Sequence, residues 1–149
     1  MKKFMKFLPV MLVAFIGCIT LWSCDDDKDE TIATDRLPSE AKAFINQYFP
    51  SISIVSAQKD KDDYEVVLSD GTKIDFNKSG EWTDVDAPVG KTVPTGFYPA
   101  AIDSYIATSY TGTGINEISK ERRGYDVELV TGIDLIFDNE GTFISLDND

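Results

Sequence analysis

Tyr64-Glu-Val-Val-Leu-Ser-Asp-Gly-Thr-Lys-Ile-Asp-Phe-Asn-Lys-Ser-Gly-Glu-Trp82 decides the fold, because the chain writes it twice. The second copy is Tyr125-Asp-Val-Glu-Leu-Val-Thr-Gly-Ile-Asp-Leu-Ile-Phe-Asp-Asn-Glu-Gly-Thr-Phe143. Tyr64 and Tyr125, Leu68 and Leu129, Gly71 and Gly132, Ile74 and Leu135, Phe76 and Phe137, Gly80 and Gly141, and Trp82 and Phe143 all stand 61 positions apart. The offset continues outward through Ile54/Ile115, Lys59/Lys120 and Val85/Leu146, and back through Ala41/Ile102, Phe44/Tyr105, Ile45/Ile106 and Phe49/Tyr110. The matched positions are apolar core candidates and turn glycines, so the duplication reports architecture more clearly than chemistry.

Within the first copy, Ala41, Phe44, Ile45, Tyr48 and Phe49 fall on one face of a helix that Pro38 can open and Pro50 ends. Strands follow at about 52–59, 63–69, 72–77 and 81–86, separated by short turns rich in Asp, Asn, Ser and Gly. Tyr64, Val66 and Leu68 alternate with Glu65, Val67 and Ser69, which leaves one face apolar for the helix to cover. In the second copy the helix falls at about 99–110 and the strands at about 114–121, 124–130, 133–138 and 142–147. Thr111-Gly112-Thr113-Gly114 follows a helix and precedes a strand, the reverse of a phosphate loop, so it reads as a helix stop and turn. The expectation is an α+β fold of two tandem α-β-β-β-β repeats, each a helix packed on a four-stranded antiparallel sheet. Repeat 1 spans 37–87 and repeat 2 spans 88–149, with Ala87 to Gly96 linking them.

Residues 1–23 read as an export signal, with Lys2, Lys3 and Lys6 ahead of an apolar run from Phe7 to Trp22. That run is short for a membrane span of roughly 20 residues. Leu21-Trp22-Ser23-Cys24 resembles the lipobox of bacterial lipoproteins, although Trp22 is bulkier than that pattern prefers. The resemblance implies cleavage before Cys24 and lipidation of its thiol. Residues 24–36 then form a lipidated tether whose Asp25-Asp26-Asp27-Lys28-Asp29-Glu30 block repels itself and stays extended. An acidic run after the lipid cysteine resembles the signal that carries some Bacteroidetes lipoproteins to the cell surface. The expected location is the outer membrane, on its outer or periplasmic face.

Composition narrows the chemistry. The chain has 14 Lys and Arg against 26 Asp and Glu, and loss of the three signal lysines leaves 11 against 26, a net charge near −15. Nucleic-acid binding, which needs basic side chains on phosphates, is disfavoured. A basic partner is attracted over distance. There is no histidine, and both cysteines lie at or before position 24. That removes histidine and cysteine triads, histidine-held zinc and thiolate sites from residues 25–149. Neither a cofactor nor a bound metal is expected.

Strict alternation inward from Thr83 and Val85 points Trp82 and Asp84 outward. In the second copy, Ile144 and Leu146 inward leave Phe143 and Ser145 outward, near Val67, Val130 and Ile136. Trp82, Phe143, Val67 and Ile136 are therefore the candidate partner-binding residues, since exposed aromatics anchor interfaces. A β-bulge would instead turn both rings into the core. Asp60, Asp62 and Asp63 at a hairpin tip offer hard oxygens to calcium but lack the glycine and distal glutamate of an EF-hand; a solvated turn explains them. The pairs Asp84/Asp86 and Glu65/Asp75 could carry acid–base chemistry, but such carboxylates are common on strand surfaces.

A helix opening with Leu37-Pro38 and closing with Tyr48-Phe49-Pro50, followed by Tyr64-Glu65-Val66, the run Asp70 to Phe76, and Gly80-Glu81-Trp82, resembles the PepSY-like, beta-lactamase-inhibitor-like family of exported Bacteroidetes proteins. The resemblance covers Leu37 to Asp149 as two copies. The second departs at Ile133-Asp134-Leu135 and at Phe143. It implies similarity to an inhibitor that grips its enzyme with a concave sheet, and carries no catalytic residue across. The expected function is a non-catalytic, lipid-anchored envelope module that holds a protein or peptide on its open sheet face. Inhibition of an exported enzyme is the alternative, and a carboxylate hydrolase or a structural coat protein stands further off.

Overall fold

The computed structural model describes residues 30–147. The signal, Cys24 and most of the acidic run lie outside the described residues. Two helices and one nine-stranded antiparallel sheet make a mixed α and β fold, with the strands in chain order. β1 is Glu30–Thr31; helix α1, Ser39–Tyr48, precedes β2 (Ile54–Asp60), β3 (Asp63–Leu68), β4 (Lys73–Phe76) and β5 (Trp82–Asp86). Helix α2, Ala100–Ser109, precedes β6 (Ile115–Glu121), β7 (Gly124–Leu129), β8 (Asp134–Phe137) and β9 (Phe143–Leu146). The expected sheet behind each helix is thus part of a single larger one. β5 pairs with β6 through Asp84–Ser119, Val85–Ile118 and Asp86–Glu117.

Each helix is bounded by its flanking residues. Pro38 and Pro99 sit at the N-caps with extended ψ, where a missing N–H costs nothing. At the other end Phe49 and Tyr110 leave the helical region, their N–H groups still donating to the Ile45 and Ile106 carbonyls at 2.8 Å. Pro50 forbids continuation in α1; Gly112, at φ 84°, redirects the chain after α2.

Cross-strand partners share a face, and the register therefore traces one apolar row across the sheet. Val66, Ile74, Val85, Ile118, Val127 and Leu135 are paired in that order, and each is buried. Phe76 and Phe137 share this face and are fully buried, with Phe44 of α1 and Tyr105 of α2 edge-on against them at 5.7 and 5.5 Å. Both helices consequently cover the same side, on a common core that also takes Ala41, Ile45, Ile102 and Ile106.

Two equivalent turns hold the helix ends. The Asn77 and Asp138 side-chain oxygens each accept two backbone N–H bonds, from Ser79 and Glu81 and from Glu140 and Thr142. A Cβ on Gly80 would lie 2.7 Å from Pro38, and one on Gly141 2.8 Å from Pro99. Each turn therefore needs glycine for close approach to the first helical residues as well as for its φ of 84°.

Residues 30–36, assigned by composition to the tether, instead lie at the first edge, where Glu30–Thr31 form the outermost strand. Glu30 and Thr31 pair with Lys59 and Gln58, the Ile32 amide donates to the Ala57 carbonyl at 2.9 Å, and the Ile32 side chain is buried.

Candidate functional site: the helix-free face of the sheet

Trp82 and Phe143 do not point away from the helices. β4 and β5 pair Asp75 with Asp84 and then Phe76 with Trp82, so Thr83 is an extra residue. β8 and β9 repeat the irregularity at Ile144, pairing Ile136 with Ser145 and then Phe137 with Phe143. Each bulge inverts the alternation by one residue and brings the ring to the helix side. Phe143 stacks on Tyr105 at 4.5 Å and 10°. Trp82 lies 6.4 Å from Phe44, 4.9 Å from Phe97 and 6.2 Å from Tyr125. Both rings are partly buried members of the core layer, which corrects their placement on the open face.

Val67 and Ile136 do lie on the open face, in register with Ser56 and Lys73 and with Asp126 and Ser145. They belong to β3 and β8, five interstrand spacings or roughly 24 Å apart, and so form no single apolar patch. Val130 lies just beyond β7.

Between Val67 and Ile136 the open face is acidic. One row across the strands runs Lys73, Asp86, Glu117, Glu128, Asp134. The next runs Glu65, Asp75, Asp84, Ser119, Asp126, Ile136. Neighbouring side chains shield one another from water, and that drives the electrostatics. Burial raises Asp84 above the ordinary carboxylate value, although the Ser119 hydroxyl donates to its Oδ1 and offsets part of the effect. Burial also raises Asp86, with Lys73 pulling the other way. Glu117 is pushed up to about 7, first by burial and then by Asp84, Asp86, Glu128 and Asp134. Asp84/Asp86 and Glu65/Asp75 are thus neighbours as expected. They stand on a sheet face, not in a cleft.

Asp60, Asp62 and Asp63 are exposed at the β2–β3 turn. Among the described residues, no group of three or more His, Cys, Asp or Glu side chains is arranged to hold a metal ion. Two open cavities, of about 410 and 520 Å³, flank the linker at one end of the sheet. The first is lined by Phe49, Ile52, Pro88 and Pro94, the second by Tyr98, Asp103 and Thr113. Asn116 fixes this linker, its Nδ2 donating toward the Ala87, Pro88 and Lys91 carbonyls at 2.9–3.1 Å.

A family described as beta-lactamase-inhibitor-like, PepSY-like matches residues 20–69 and 62–145. The chain belongs to this family. Three solved Bacteroides structures are similar to it. One, from Bacteroides thetaiotaomicron, is described as a candidate calcium-regulated periplasmic protein; it is 32% identical, with 80% of this chain and 97% of that one covered and a TM-score of 0.75. A candidate periplasmic protein of unknown function from Bacteroides vulgatus is 31% identical, with 81% and 100% covered and a TM-score of 0.76. Another from the same species is 32% identical, with 83% and 100% covered and a TM-score of 0.75. These descriptions support an envelope location for PepSY-like chains of this kind. No curated protein matches.

Glu117, Glu128 and Asp134 were not singled out from the sequence. Alternation places each on a strand face, but only the β5–β6 pairing sets Glu117 beside Asp86.

Proposed function

We propose that this chain is a non-catalytic envelope binding module, anchored through lipid on Cys24, that holds a basic protein or peptide against its helix-free sheet face. The reading extends to the architecture: each helix with the four strands after it is one copy of a duplicated unit, and the joined sheets make one continuous surface. The observation that carries the function is the acidic double row itself, Asp86, Glu117, Glu128 and Asp134 beside Glu65, Asp75, Asp84 and Asp126, which leaves Glu117 among four carboxylates that add to the effect of its burial. A lysine or arginine arriving there supplies the missing counter-charge, lowers the Glu117 pKa and displaces its proton. Occlusion of an exported enzyme's active site by this surface is the inhibitory form of the same reading. Trp82 and Phe143, on the helix side, serve the fold of that surface and not its contacts.

The test is titration of the full chain with an oligolysine peptide by calorimetry at pH 7. Binding should weaken steeply with salt and release protons, seen as a heat that depends on the buffer. The Glu117→Gln/Glu128→Gln variant should bind about tenfold more weakly. Equal binding by that variant would overturn the assignment of the face. Anchoring is tested separately: Cys24→Ala should leave the protein unprocessed or released from membranes, and normal retention would refute it.

A second reading draws on the calcium-regulated description of the Bacteroides thetaiotaomicron relative. Calcium neutralising the same carboxylates would raise the melting temperature of the wild type more than that of Glu117→Gln/Glu128→Gln. An equal rise in both would exclude this face.

A further inference from the structure

We infer that the outer edge of β9 is an interface at which a second copy of this chain pairs antiparallel, β9 against β9. Leu146 is the counterpart of Val85 in the duplicated sequence. Val85 is flanked on both sides, by Ile74 of β4 and Ile118 of β6, and is fully buried. Leu146 meets Leu135 of β8 on one side, has no strand beyond it among the described residues, and is 43% exposed. Its neighbour Ile144 is 57% exposed. The Asp147 amide donates to the Asp134 carbonyl at 3.0 Å. By antiparallel alternation, the Leu146 N–H and C=O then face away from β8. Such an edge templates another strand unless charge, a bulge or a cover protects it, and the bulge at Ile144 leaves Ser145 and Leu146 in regular pairing.

The two edges are treated differently. β1 covers β2, and Ile32 is buried there as Val85 is against β6. β9, Phe143–Leu146, is the one described strand with no ionisable residue, in a chain of net charge −12. It is therefore where two copies can meet without setting carboxylate against carboxylate. The chain's own tether cannot fill the place. With the signal removed before Cys24, as proposed above, residues 24–29 reach at most about 21 Å fully extended, short of the roughly 38 Å from Glu30 at the first edge to β9 across eight interstrand spacings. Pairing about Ser145 is two-fold and closed, since both copies use the same edge. It carries the sheet continuously through both copies, with all four helices on one side.

In this arrangement the two Ser145 Cα atoms lie about 4.5–5.5 Å apart, within reach of a disulfide. The test is Ser145→Cys in the full chain, oxidised in native envelopes. A band of doubled mass is expected, absent from the wild type and reduced at least tenfold by Leu146→Asp in the same background. Unchanged melting of the doubly substituted protein would show that the fold survives. Absence of the doubled band from Ser145→Cys, or its persistence with Leu146→Asp, would overturn the inference.

Discussion

The two halves carry the same strand pattern and the same bulge, yet they surround it differently. In the first half the bulge delivers Trp82 to the middle of the sheet, where Phe44, the linker ring Phe97 and Tyr125 of the second half enclose it. In the second half it delivers Phe143 to the terminal strand, where Tyr105 and Phe137 pack on it. The repeated sequence pattern carries local geometry across the chain; it does not carry the neighbours. What a repeated residue contributes depends on which elements the other half and the linker place beside it.

Where the halves are truly equivalent, the energetics should agree. Phe76 and Phe137 are both fully buried with a helix aromatic edge-on. Alanine at either position should cost about 3–5 kcal/mol, and denaturant melts should give values within about 1 kcal/mol of each other. A larger gap would break the equivalence. Where they differ, the cost should differ: Trp82→Ala should lose about 3 kcal/mol and Phe143→Ala about half of that, both reduced by partial exposure. Equal losses would mean that Phe97 and Tyr125 add nothing around Trp82.

The last effect lies on the open face, depends on pH, and is discounted by the face's partial exposure. Glu117 has its affinity for protons raised from an ordinary 4.5 to about 7 in the folded state. Between those values the folded chain binds more protons than the unfolded one, so stability falls as pH rises. The contribution is fully present below about pH 4.5 and lost above about pH 7. Glu117→Gln should flatten this part of the stability–pH curve and raise the melting temperature at pH 8. A variant with an unchanged slope would remove Glu117 as its source.

Much of this was legible in the sequence. The offset between Gly80 and Gly141 marks turns where no Cβ fits, and the alternation around Val66 and Ile74 identifies the buried face. Three features escaped, the first because period-two patterning holds only while pairing is regular. Thr83 and Ile144 each insert a residue and reverse the facing of Trp82 and Phe143. The β5–β6 pairing joins strands separated by a linker and a helix, so nothing local encodes the contact of Asp86 with Glu117. The Glu30–Ile32 edge is hidden in a composition that reads as tether. The candidate site shifted accordingly, from aromatic anchors to a carboxylate surface.

On this reading a partner meets the helix-free face and not the aromatic rings. Amide NMR of the full chain during titration with an oligolysine peptide tests it most directly. The largest shifts are expected at Asp84, Asp86, Glu117, Glu128 and Asp134, with Phe44, Phe97 and Tyr105 unmoved. Shifts concentrated on the helices and linker, or none at all, would contradict it.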